Sequence, residues 1–189
     1  MPGAVSRVSY ARCGKNVARR MQPVPQGNTI RPARGDDFEA VTALLELLGR
    51  ERVTDATRAE CEALFRHQVV DPNSHHMVVE DGSGAVVAFC SLHFRPRLNR
   101  DDEEAWIPDL IVSEGARRAG VALALLEEAE RRAVARGCWL LTLESGHQRA
   151  EAHDLYRRFR MRDIGRSFAK RIGPEDERPR AAETSHGYR

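Results

Sequence analysis

Long apolar runs are missing from this 189-residue chain. No stretch suffices to cross a bilayer and the first residues lack the apolar core of a secretory signal, so no membrane partner is expected. Cysteine is sparse and unclustered: Cys13, Cys61, Cys90 and Cys138 form no C-x-x-C pair and no metal-ligand spacing, which predicts a reduced, cytoplasmic protein. His75, His76 and His93 lack a spaced carboxylate or cysteine partner, and no metal site is expected. Neither sign of charge dominates. A net charge of +2 with 31% charged residues implies neither a nucleic-acid partner nor a disordered chain. Two phosphate signatures are absent as well. No Gly-x-Gly-x-x-Gly turn opens an early β-α-β unit and no Gly-Lys-[Ser/Thr] end marks a P-loop, which excludes a nicotinamide or ATP.

What is present is enough chain for one domain with a core that needs no staples. Residues 29–172 read as that domain, between a flexible basic tail, residues 1–28, and a flexible C-terminal tail, residues 173–189. The first tail carries Arg7, Arg12, Lys15, Arg19 and Arg20, and no acidic residue precedes Asp36. A basic arm that touches nucleic acid or membrane is its functional alternative. A translation start at Met21 would remove most of it, which intact-mass measurement of the native protein decides.

Inside the domain the punctuation is regular. After a short extended entry at 29–32, Asp36 is placed to cap a helix and Glu39 to reach back, and Phe38, Val41, Leu44, Leu45 and Leu48 follow helical spacing until Gly49. Thr57-x-x-Glu60 opens a second helix that runs to Pro72. Two β-rich runs, 76–80 and 85–95, flank Asp81-Gly82-Ser83-Gly84 and predict a hairpin. A strand over 104–113 leads into a helix over 121–136 that Gly137 ends. Another buried strand follows at 138–144, then a helix at 148–160, then strand again over 161–172, broken at Gly165. The order β-α-α-β-β-β-α-β-α-β predicts an α/β (α+β) class with a mixed sheet and helices packed against it.

The turn Arg117-Arg118-Ala119-Gly120-Val121-Ala122 lies where that fourth strand gives way to the third helix. A helix start leaves backbone N–H groups without partners, with the positive end of the helix dipole behind them. At Gly120 no side chain stands between the backbone and an approaching anion, and Arg117 and Arg118 add fixed charge. Such a turn can hold phosphate, although an ordinary arginine-flanked helix start would look alike.

Arg117-x-x-Gly120-x-Ala122 resembles the [Gln/Arg]-x-x-Gly-x-[Gly/Ala] acyl-CoA signature of the GNAT superfamily of N-acetyltransferases, and the element order over 29–172 is similar to theirs. Arg149-x-x-Ala152-His153-x-Leu155-Tyr156 resembles that family's motif B, with Arg160-Met161 in place of its usual Gly-Phe end. Looser similarities at 92–94, 106–107 and 110–112 lie with the aminoalkylphosphonate N-acetyltransferase branch.

The resemblance implies a GNAT-like acyl-CoA N-acyltransferase fold. It also implies acetyl transfer from acetyl-CoA, as co-substrate, directly to a primary amine, in keeping with a small-molecule acceptor. The amides around Arg117, Arg118, Ala119, Gly120, Val121 and Ala122 would carry the diphosphate. Backbone N–H groups of Leu110, Ile111 and Val112 would hold the thioester carbonyl, with His153 beside the cofactor and Tyr156 as general acid. The amine must lose a proton and the carbonyl oxygen must be stabilised. Asp109 is the candidate base or amine-binding group, its alternative being a solvated strand carboxylate. Glu144, Ser145 and Arg95 are candidates for substrate binding, Arg95 with Arg97 for an anionic group unless both are solvated loop charges. A non-catalytic acyl-CoA-binding sensor and a protein-lysine or N-terminal acetyltransferase are the rival readings, and a homodimer is compatible with all three.

Overall fold

Alternating apolar residues and turn chemistry set the strands, and apolar residues every three or four set the helices. The computed structural model describes residues 24–25 and 27–170. Its elements run β1 (Thr29–Pro32), α1 (Phe38–Leu47), α2 (Arg58–Gln68), β2 (Met77–Glu80), β3 (Val86–Cys90), β4 (His93–Pro96), β5 (Glu103–Ile107), β6 (Leu110–Val112), α3 (Val121–Arg136), β7 (Leu140–Leu143) and α4 (Ala150–Arg158). One sheet has the order β1-β2-β3-β6 and the other β4-β5-β7, all pairs antiparallel except β5 with β7. The mixed α+β class expected from the sequence is the class found.

Three strands differ from expectation. The run 85–95 is broken at Ser91 and Leu92, and the run 104–113 at Pro108 and Asp109. Each half joins a different sheet, β3 and β6 the first, β4 and β5 the second. Proline has no N–H to give a ladder, so Pro108 ends the pairing of β5 with β7 at Ile107↔Leu143 and frees the chain to cross over. The third difference is the expected strand after α4: residues 161–170 form none, leaving Ile164 and Phe168 exposed. Arg162, Asp163, Gly165 and Arg166 interrupt any apolar alternation there. Residues 171–172, the C-terminal tail, Met21 and most of the basic tail lie outside the described residues.

The first helix also begins differently. A 3-10 turn over Gly35–Asp37 precedes α1, so the reach-back falls to Asp37, whose Oδ2 accepts the Arg34 N–H at 2.6 Å. Arg31 grips the same carboxylate with two bonds of 2.7 Å, holding its pKa below the usual range against the opposing effect of burial. Asp36 is exposed and Glu39 instead pairs with Arg58. The β2–β3 turn forms as expected, with Asp81 Oδ1 accepting from the N–H groups of Ser83 and Ala85.

Two apolar clusters sandwich the first sheet. Phe38, Val41, Leu44 and Phe65 of α1 and α2 meet Val78, Phe89 and Ile111 on one face. Val121, Leu125 and Ala129 of α3 meet Val79, Ala88, Cys90 and Val112 on the other, and that cluster continues over Phe94, Ala105 and Ile107 of the second sheet. The opposite face of β4, β5 and β7 carries alternate residues outside both clusters: His93, Arg95, Glu104, Trp106, Thr142 and Glu144.

Candidate functional site

The break at Pro108-Asp109 opens a cleft. Below it β5 and β7 run parallel in register; above it β6 leaves with β3, and β7 ends. Ser91 N–H donates to Asp109 O at 2.9 Å and Ser113 N–H to Val87 O at 2.8 Å, so the main chain at 109, 111 and 113 is turned toward β3. Antiparallel bonding alternates, which leaves the N–H groups of Leu110 and Val112 aimed at the open edge, while Ile111 is committed to the ladder. A row of donors at a strand edge that no neighbour covers can hold a carbonyl oxygen.

One turn further along the chain is a second set of donors. Among the described residues the N–H groups of residues 118 to 123 reach no main-chain acceptor, and the first helical bond at this end of α3 is Ala124 N–H to Gly120 O at 3.0 Å. Gly120 caps the helix with φ 87°, Arg118 has φ 64°, and among the described residues no atom would touch a methyl group on Gly120 closer than 3.8 Å. Left-handed residues two apart turn successive amides to one side, forming the concavity that binds anions elsewhere. Arg118 occupies this conformation without glycine's freedom, a strain that commonly marks a functional turn. Arg117 lays its Nε on Val112 O at 3.3 Å, joining the turn to the strand edge, and Arg118 approaches Glu151 of α4 at 3.5 Å. The Val121 side chain points into the core, so that residue offers only its backbone, while Ala119 is exposed and Ala122 half-buried.

Across the cleft, α4 presents Tyr156. Burial raises the pKa of its hydroxyl; the nearby Arg149 charge and Ser145 hydroxyl oppose this, and the Cys90 sulfur adds to it. The phenol is therefore a proton donor or proton carrier, held neutral well above physiological pH. Cys90 itself is fully buried with its thiol pushed up to about 12, too protonated to act as a nucleophile. Arg149 Nη2 donates to Leu48 O at 2.6 Å, tying the start of α4 to the end of α1. His153, one turn before Tyr156, is half-buried.

The expected glycine of motif B proves informative by its replacement. Arg160 adopts φ 68°, so the helix ends left-handed regardless, with Met161 N–H donating to Tyr156 O and Arg160 N–H to Arg157 O, both at 2.9 Å. This is a complete Schellman closure anchored on the Tyr156 carbonyl.

The remaining candidates gather on the other side. Asp109 lies in the break, where Arg50 from the α1–α2 connection donates to its Oδ1 at 2.7 Å and to Pro108 O at 3.0 Å. The two bonds from Arg50 fix the position of the Asp109 carboxylate in the break. Glu144, exposed just after β7, accepts from Trp106 Nε1 at 2.8 Å, and Ser145 follows with its Oγ buried near the Tyr156 hydroxyl. Arg95 stands back from the cleft, bound to Glu104 at 2.9 Å and stacked 4.3 Å over the Trp106 ring. Sequence reasoning passed over Arg50 and Pro108, and gave Trp106 no place in the site. For Pro108 a signal was present, since a proline inside a strand-like run marks a break. Behind this wall His93 is held by Ser74 and Ser91 at 3.0 and 2.9 Å, against the ring of His76. His76 is buried, neither of its nitrogens has a hydrogen-bond partner among the described residues, and burial, aided by His93, pushes its pKa down to about 4. Among the described residues no group of three or more metal-binding side chains is assembled, and no helix is long and apolar enough to cross a membrane.

Comparison with known proteins adds to this geometry. The profile of the Acetyltransferase (GNAT) family matches residues 41–160. A solved structure described as a transcriptional regulator from Bacillus halodurans is 25% identical, covers 77% of this chain and 99% of that one, and superposes with a TM-score of 0.70. Glucosamine-6-phosphate N-acetyltransferase from Arabidopsis thaliana is 20% identical over 77% of this chain and 99% of its own, with a TM-score of 0.64. An aminoglycoside 6'-N-acetyltransferase from Acinetobacter baumannii is 18% identical over 78% and 100%, with a TM-score of 0.63. The last two show likeness of fold alone. No curated protein matches the chain in sequence.

Proposed function

Because the chain belongs to the acetyltransferase (GNAT) family, we propose that it transfers an acetyl group from acetyl-CoA directly to a primary amine of a small molecule. The observation that carries this is the run of amides at 118 to 123 that reach no main-chain acceptor among the described residues, opening beside the strand edge at Leu110 and Val112. The donor set suits a diphosphate: several N–H groups, no side chain at Gly120 and the guanidinium groups of Arg117 and Arg118. Acetyl-CoA when bound supplies an activated thioester carbonyl.

The chain's own residues then divide the work. Leu110 and Val112 N–H groups stabilise charge on the carbonyl oxygen. Tyr156, protonated at neutral pH, gives its proton to the departing sulfur. Glu144 receives the acceptor's ammonium, and Ser145 lines the same end of β7. Asp109, fixed by Arg50, orients the amine as it sheds a proton to solvent. A thermal-shift and calorimetric titration with CoA, followed by turnover across an amine panel, tests this reading. Binding of CoA without any transfer would favour the second reading, an acyl-CoA sensor, to which the regulator description of one structural neighbour lends support.

A further inference from the structure

The face of β4, β5 and β7 turned away from the apolar clusters has two electrical poles. At one end Glu104, almost fully buried, accepts from Arg95 Nη2 at 2.9 Å, Arg97 Nε at 2.7 Å and Thr142 Oγ1 at 2.7 Å. Burial pushes its pKa up, but the Thr142, Arg97 and Arg95 contacts together outweigh this, so the group is ionised. Two guanidinium groups therefore share one carboxylate, and one positive charge is left over. Both arginines remain accessible, with side-chain exposures of 39% and 52%. Each keeps N–H groups that Glu104 does not use.

At the other end stands Glu144, exposed, with one oxygen taken by Trp106 Nε1 at 2.8 Å and the other without a hydrogen bond among the described residues. Trp106 connects the poles. Its ring lies under the Arg95 guanidinium at 4.3 Å while its N–H holds Glu144, so surplus positive and negative charge are separated by a single indole. Glu144 is the pole nearer the cleft, since it follows β7 directly, while Arg95 and Arg97 lie beyond the opposite side of the indole.

We propose that the acceptor is a small amine that also carries a carboxylate or a phosphate, its ammonium on Glu144 and its anionic group on Arg95 and Arg97, across Trp106. The inference rests on the acetyltransferase reading and adds the substrate class. Arg97 and Arg95 act here as specificity-determining residues and take no part in the bond changes.

The test uses the full-length protein with acetyl-CoA and matched short amines: β-alanine, O-phosphoethanolamine, ethanolamine and 1,3-diaminopropane. Thiol release reports turnover and calorimetry in the presence of CoA reports acceptor binding. At least one anion-bearing amine should exceed ethanolamine in kcat/KM by about tenfold or more, and the better of the two identifies carboxylate or phosphate. In Arg97→Gln the surplus charge vanishes and this preference should collapse. Adding Glu104→Gln leaves Arg95 alone with its charge, and the preference should return, an outcome that a merely structural arginine would not produce. Equal or better use of ethanolamine or 1,3-diaminopropane by the unaltered protein overturns the proposal, whatever the variants' stability. So does a folded double variant that stays indifferent to the anion. Arg97-dependent binding of an anion-bearing amine without turnover would uphold the recognition and sink the transferase reading. Turnover with no anion preference would do the reverse, and neither binding nor turnover would overturn both.

Discussion

Substituting Gly120 by alanine separates two jobs that the turn performs. The residue caps α3 at φ 87°, and a methyl group there would lie 3.8 Å from Pro25 Cγ, an ordinary contact, so packing offers no objection. The cost to folding is conformational: roughly 1–2 kcal/mol for a left-handed L-residue, offset by a few tenths to 1 kcal/mol from the stiffer unfolded chain. A net loss of about 1 kcal/mol in urea denaturation is expected. The cost to binding has another origin. The methyl stands where the amides of 118 to 123 open, and displacing an anion from even one charge-assisted bond costs about 1.5–3 kcal/mol, or roughly 10- to 100-fold in Kd. Calorimetric titration should show that loss for CoA but not for pantetheine, which shares the thiol arm and lacks the diphosphate. If both ligands weaken equally, or if CoA binds as before while stability falls, the amides of this turn do not carry the diphosphate.

Three further outcomes are expected. Arg160→Gly, at φ 68°, should stabilise the protein by about 1 kcal/mol in urea melts, because glycine meets the left-handed helix end without strain; a loss would show that the arginine side chain contributes more than its backbone costs. Tyr156→Phe should lower kcat by about 100-fold or more and leave the Kd for CoA within about twofold, and parallel loss of both would count against a proton-donating phenol. Burial of His76 as a neutral ring predicts acid sensitivity: its pKa is near 6.5 unfolded and about 4 folded, so the unfolded chain binds the extra proton between those values. Stability is then full above pH 6.5 and falls by about 2 kcal/mol as pH drops from 6.5 to 5, before Asp37 and Glu104, with their lowered pKa values, begin to protonate. His76→Phe, which keeps a ring beside Phe65 and Phe89, should reduce that slope to what His75 and His93, whose pKa values burial also lowers, contribute; an unchanged slope would place the effect elsewhere.

The helices and the hairpin were legible because each rests on local chemistry: Gly137 closing α3, Asp81 folding the β2–β3 turn, apolar spacing placing α1 and α2. The turn at 117–122 was legible for the same reason, since a glycine between strand and helix is a local fact. What the sequence concealed is long-range. Nothing near Asp109 announces that Arg50, from a connection 59 residues earlier, will pair with it. Nothing near Arg95 shows that Glu104 will be buried under it, or that Trp106 will tie Glu144 to the same face. Asp109 and Arg95 read as free charges in one dimension and become paired in three, Asp109 with Arg50 and Arg95 with Glu104.

Pro108 shows how one residue links these levels. Had residue 108 kept its N–H, 104–113 could run as the single strand its apolar pattern suggests, paired along β7 to the end, and the sheet would stay closed. Proline stops the ladder at Ile107, the chain turns at Asp109, and β6 pairs with β3 instead. That crossover exposes the Leu110 and Val112 amides, lets Glu144 stand clear at the end of β7, and sets the turn at 117–122 beside both. A Pro108→Ala variant that regained pairing beyond Ile107, seen as new slow-exchanging amides at Leu110 or Val112, should therefore lose transfer activity while its folding stability holds or rises. Activity kept in a variant with those amides protected would mean that the opening between β6 and β7 is not where the acetyl group changes hands.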